Sequence, residues 1–197
     1  MAVRIIDSAD VADTATIGDG SSIWHLAQVR EGAVLGENCI VGRGAYVGTG
    51  VVMGDNCKVQ NYALVYEPAK LGNGVFVGPA AIFTNDHYPR AINADGTLKT
   101  GDDWDHVGVV VADGASVGAR CVCVAPLHIG AWALIAAGSV VIHDVPAYAL
   151  VAGNPARRVR WVGEAGLPLV SMGGNMYQCP RTGRTYREDH DTLTPMP

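Results

Sequence analysis

Counting by sixes from Val11 gives Val11, Ile17, Ile23, Val29, Leu35, Val41, Val47, Met53, Val59, Val65, Leu71, Val77 and Phe83, apolar without exception. Four residues after each apolar position sits a small one: Ala15, Ser21, Ala27, Ala33, Cys39, Ala45, Val51, Cys57, Ala63, Ala69, Val75 and Ala81. The small residue precedes the next aliphatic one by two, so both face the same side of an extended segment. Glycine often follows the aliphatic residue, as at Gly18, Gly36, Gly42, Gly48, Gly54, Gly72 and Gly78. Each unit therefore reads as a short strand plus a turn. One unit cannot bury its apolar face alone, so the units must stack, and the chain is expected to form an all-β solenoid.

The repeat resembles the hexapeptide of left-handed parallel β-helix acyltransferases, which implies three units, 18 residues, per triangular coil. With that coil length the outward corner residues fall into three ladders. One is His25, Arg43, Asn61, Pro79; a second is Asp13, Glu31, Thr49, Glu67, Asn85. The third, Asp19, Glu37, Asp55, Asn73, is acidic or amide throughout and reads as a solvated edge. The first two carry the varied hydrogen-bonding residues that a site needs.

After Phe83 the register breaks and resumes at Val111, Val117, Cys123, Ile129, Ile135 and Val141. The intervening residues 84–107 form a polar insertion too long for an ordinary turn, and loops of that length in compact arrays are commonly functional. Residues 1–162 are read as one β-helix domain carrying this insertion. Within it, residues 144–162 supply a final strand and a basic segment that closes the solenoid. Residues 163–197 form a separate tail in which MYQC and RTYRE flank PRTG, a hairpin pattern. CPRTG looks like half a zinc ribbon, but no second cysteine pair accompanies it, and no metal is expected.

Composition narrows the function. A net charge of −5 argues against a general nucleic-acid or anionic-membrane binder. No run of about 18 apolar residues is present, and residues 1–20 lack a basic start followed by an apolar stretch. The five cysteines form no CxxC pair, so reduced thiols in a cytoplasm are expected, most of them packing in the core.

Four segments sharpen the resemblance: IWHLAQV (23–29), VQNYALVYE (59–67), FTNDHYPRA (83–91) and DVPAYALVAGNPAR (144–157). They are similar to signatures of N-acetyltransferases acting on nucleotide-linked 3-amino sugars. The last is shared by many hexapeptide acyltransferases, whereas FTNDxYPRA followed by DW is more discriminating. The resemblance implies acetyl-CoA as co-substrate, a UDP- or dTDP-linked amino sugar as acceptor, and a homotrimer with sites between subunits. It makes Asn85 the residue that holds the attacking amine. A neutral carbonyl oxygen can accept a hydrogen bond from the amine and aim its lone pair at the thioester. Turn capping is the competing role for Asn85. His87 is the alternative catalytic residue, as the base of a sugar O-acetyltransferase.

From the coil length alone, Asn61, Tyr66, Glu67, Asn85 and Arg90 are expected to gather around a sugar, with Asp86 pairing with Arg90 to order the loop. Arg90 suits a carboxylate or phosphate, and His25 suits the nucleotide. For the cofactor, Gly118, Ala136 and Ala137 permit close backbone approach, and an amide there would steady the thioester oxyanion. Arg157, Arg158 and Arg160 suit the phosphates, with a solvated helix end as the competing reading. A metalloenzyme resembling γ-type carbonic anhydrases is a weaker alternative, because no HxxxxH occurs. A non-catalytic scaffold is weaker still.

Overall fold

The computed structural model describes residues 2–197, and no helix occurs among them. Successive two- and three-residue strands wind into a three-sided parallel solenoid. The first face runs from Arg4–Ile5 through Ser22–Ile23, Ile40–Val41, Lys58–Val59, Phe76–Val77, Ser116–Val117 and Leu134–Ile135 to Ala149–Gly153. The second runs from Asp10–Val11 to Val140–Val141, and the third from Thr16–Ile17 to Leu127–Ile129. Each strand pairs in register with its equivalent one coil on, as Tyr46↔Leu64 and Val47↔Val65. The six-residue repeat thus becomes three strands per coil.

Alternation decides what lies inside. The aliphatic residue of each hexad and the small residue before it point inward, and from Ile23 onward they are buried in one continuous core. Large and small side chains alternate along the wall, which suits the narrow triangular interior. All five cysteines are free and buried. Burial pushes the Cys123 thiol well above its ordinary range, as befits a packing residue.

The glycine after the aliphatic residue is needed for proximity rather than for an unusual φ. A Cβ on Gly78 would lie 2.6 Å from Ala119 N and from Gly118 C, in the coil above. Side chains at the corners also join coils. Asp55 Oδ1 accepts the Glu37 amide at 2.8 Å, Asn73 Oδ1 the Asp55 amide at 2.8 Å, and Asp113 Oδ1 the Asn73 amide at 2.7 Å. The acidic ladder expected to be a solvated edge is therefore also a structural one, in which each carboxylate or amide caps the backbone of the coil below.

The closing basic segment is a strand, not a helix end: Ala156–Trp161 folds back antiparallel on Ala149–Gly153. The tail hairpin is present, Met176–Gln178 pairing with Thr185–Asp189, and Val170–Gly173 and Thr192–Pro195 extend it to four antiparallel strands.

Candidate functional site

The insertion leaves the solenoid at the corner between the second and third faces. Corner contacts elsewhere join residues 18 apart, as Arg43 to Asn61, whereas Asn73 and Asp113 on adjacent coils are 40 apart. Both ends of the arm are fixed to the coil above. Thr84 N donates to Cys123 O at 3.0 Å, Thr84 Oγ1 accepts the Ala125 amide at 3.0 Å, and Gly108 O accepts the Leu127 amide at 3.3 Å. Within the arm, Asp103 accepts from both the amide and the hydroxyl of Thr100, each at 2.8 Å. Asp86 Oδ1 accepts the Tyr88 amide at 2.8 Å, and the His87 and Tyr88 rings stack with centroids 4.1 Å apart. The arm folds around a cleft of about 380 Å³ lined by Asp86, His87, Tyr88, Lys99, Trp104 and three further aspartates.

Asn85 stands at the root of this arm. Pairing of Val65 with Phe83, two residues before each, puts Asn85 on the coil above Glu67 at the same corner. Tyr66 is half-buried against Tyr46, ring centroids 5.0 Å apart. Burial, with the nearby Glu67 charge second, raises the Tyr46 hydroxyl above its ordinary range. Arg90 does not pair with Asp86: its guanidinium donates to Pro89 O at 2.9 Å, and it is absent from the cleft lining.

His25 and Asn61 lie elsewhere, on the corner between the first and second faces. His25 Nδ1 is 3.0 Å from Ser8 Oγ, and Asn61 Oδ1 accepts the Arg43 amide at 2.8 Å. With Trp24, Ile40, Gly42, Arg43 and Gln60 they line a groove of about 320 Å³. Within one chain, then, the five residues expected to gather around a sugar divide between two corners. Asn61 is a coil-capping residue in addition to lining a groove.

Higher on that same corner lie Gly118, Ala136 and Ala137. The Gly118 and Ala136 amides are committed to the rungs, donating to Ile135 O and Val151 O at 2.9 Å. Ala137 is exposed, and among the described residues neither its amide nor that of Ala119 donates a hydrogen bond within the chain. The reason is the ladder itself. Where Asn61 caps the coil below, the positions above are Pro79, Ala119 and Ala137, which carry no acceptor. Composition flagged Ala137 as small but gave no reason to single out Ala119.

Of the three arginines, Arg157 and Arg158 line a hollow of about 160 Å³ with Val141, His143 and Asp144. Arg158 is spoken for: it pairs with Glu188 at 3.3 Å and with Asp191, and lies over the Trp161 ring. Arg157 and Arg160 are exposed and form no ion pair among the described residues. No sequence signal linked Arg158 to the tail, because its partners lie more than one hairpin away.

Residues 14–49 match the family described as bacterial transferase hexapeptide (six repeats). Serine acetyltransferase 4 of Arabidopsis thaliana is 39% identical over 95 residues, 47% of this chain and 26% of that protein. The dTDP-3-amino-3,6-dideoxy-alpha-D-galactopyranose 3-N-acetyltransferase of Aneurinibacillus thermoaerophilus is 56% identical over 48 residues, 24% of this chain and 25% of that protein. The chain thus spans about a quarter of the length of these curated relatives. Among solved structures, a hexapeptide-repeat acetyltransferase of Vibrio cholerae complexed with acetyl-coenzyme A superposes with a TM-score of 0.55 at 23% identity. It covers 67% of this chain and 72% of its own. That likeness establishes the hexapeptide β-helix fold.

Proposed function

We propose that this protein is an acetyl-CoA-dependent N-acetyltransferase whose acceptor is the 3-amino group of a nucleotide-diphospho sugar. The observation that carries the reading is the arm rooted at Asn85 above Glu67. It interrupts an otherwise regular array at a corner where amide, carboxylate and aromatic side chains meet. The likeness to the Aneurinibacillus enzyme, which acts on a dTDP-linked 3-amino sugar, supports the same reading.

The chain's residues suit the cofactor. The free amides of Ala119 and Ala137 can donate to pantetheine or thioester carbonyls, and Arg157 and Arg160 offer cations for phosphates, whereas the space beside the Gly118 Cα is filled by the Ile135 and Ala137 backbone of the coil above and is not open to a ligand. Asn85 accepts a hydrogen bond from the acceptor amine and holds its lone pair toward the thioester carbon. A thioester is already activated and an amine is a good nucleophile, so positioning matters more than a strong base. The departing thiolate collects the amine's proton.

The groove of His25 and Asn61, with the Arg43 guanidinium beside it, suits a nucleotide, and Arg90 a sugar carboxylate or phosphate. Because that groove and the Asn85 corner are different edges of one chain, a site using both is assembled between protomers, as in the expected homotrimer. The outward column Tyr46, Leu64, Ile82, Val122 and Val140 offers an unbroken apolar strip for such packing. This reading sets the acyltransferase domain at 1–162, with 163–197 as a tail that engages Arg158, and sets the protein in a cytoplasm.

A second reading, O-acetylation with His87 as base, draws on the likeness to serine acetyltransferase and on the place of His87 in the arm cleft. The two are separated by variants. N-acetylation predicts that Asn85→Ala abolishes most turnover while His87→Asn retains it; O-acetylation predicts the reverse.

A further inference from the structure

Among the described corner carboxylates, Glu67 is singled out by an oxygen that is buried and has no hydrogen-bond partner. Asp55, Asn61, Asn73 and Asp113 each accept a backbone amide from the coil below at 2.7–2.8 Å. Glu67 occupies the equivalent position, and its Oε2 is sealed against the Cα of Gly48, where a Cβ would overlap it. Yet among the described residues Oε2 has no hydrogen-bond partner, and no cation lies within ion-pair distance of the carboxylate. A carboxylate with one oxygen buried and unpartnered destabilises a fold by desolvation, because nothing inside the chain offsets the charge. The capping role alone would be met by asparagine or aspartate, as it is elsewhere in the ladders.

We propose that Glu67 is a specificity residue whose counter-ion is the ammonium form of the acceptor amine. This rests on the N-acetyltransferase reading and assigns one residue's part in it. The half-buried carboxylate is fixed by Gly48 on one side and stands beside the Tyr46 and Tyr66 rings, on the coil below Asn85. An ammonium group arriving at the corner is held by Glu67, sheds one proton to solvent, and passes as the free amine to the Asn85 carbonyl above. A hydroxyl at the same carbon donates a hydrogen bond but brings no charge, so the carboxylate discriminates amine from alcohol.

The test measures binding by calorimetry of a nucleotide-linked 3-amino sugar and its 3-hydroxy counterpart to the wild type, Glu67→Gln and Glu67→Asp, together with thermal unfolding and acetyl-CoA binding. The wild type should prefer the amine by on the order of tenfold to a hundredfold, as for a charge-assisted hydrogen bond. Glu67→Gln should collapse that preference, leave acetyl-CoA affinity unchanged and unfold no earlier than the wild type, because a buried charge without a partner has been removed. Glu67→Asp keeps the charge and should keep part of the preference, which preserves the test if the Gln variant folds poorly. An unchanged preference in Glu67→Gln overturns the assignment alone. A wild type that binds neither sugar overturns the N-acetyltransferase reading together with it.

Discussion

Asn61 Oδ1 accepts the backbone amide of Arg43, 18 residues earlier, at 2.8 Å. On the same edge the equivalent positions above are Pro79, Ala119 and Ala137. This corner of the solenoid therefore carries a side-chain cap at Asn61 and none at the positions above it, and the uncapped part lies where the cofactor is proposed to bind.

Proline at 79 shows that this corner position accommodates a ring and needs no amide donor to fold. Ala137→Pro should accordingly fold as the wild type does and bind acetyl-CoA about tenfold more weakly, the equivalent of one lost hydrogen bond. Calorimetric titration with acetyl-CoA, paired with thermal unfolding, checks this. Unchanged affinity would show that the Ala137 amide does not touch the ligand.

Gly78 tests how tightly the coils approach. The nearest atoms to an added Cβ are Ala119 N, Gly118 C and Val117 O at 2.6–2.8 Å, all backbone and so unable to rotate aside. Gly78→Ala should cost about 1–3 kcal/mol, measured by denaturant unfolding.

Much of this was legible in the residues themselves. Thirteen apolar positions from Val11 to Phe83 specify the strand period, because a one-residue slip would turn every aliphatic side chain outward. The break after Phe83 marked the arm, and the residues flanking PRTG marked the tail hairpin. What the repeat cannot encode is where a side chain's hydrogen bonds go. Asn61 looked like a companion of Glu67 and Asn85 but belongs to another edge. Arg158 looked like a free cation, yet Glu188 and Asp191 on the tail sheet hold it. The open amide of Ala119 is visible only once the coil above is seen to place Ala137, which has no acceptor, where a cap would stand.

The tail's attachment should depend on pH. Burial opposes ionisation of Glu188, but hydrogen bonds from Tyr177 and Arg158, with the latter's charge, hold its carboxyl below the ordinary 4.5. A depressed folded pKa contributes stability that is fully present above the unfolded value and lost as pH falls through the folded one. Between neutrality and about pH 5 the tail should be insensitive to acid. Below pH 4.5, amide exchange in Val170–Pro195 should rise before that of the solenoid, and Glu188→Gln should show the faster exchange already at neutral pH.

The central claim is most directly tested by release of free thiol from acetyl-CoA in the presence of a panel of UDP- and dTDP-linked 3-amino and 4-amino sugars. The prediction is turnover with a 3-amino sugar, reduced at least a hundredfold in Asn85→Ala, about 2.7 kcal/mol of transition-state stabilisation, and retained in His87→Asn. Saturable acetyl-CoA binding without turnover of any amine would contradict it.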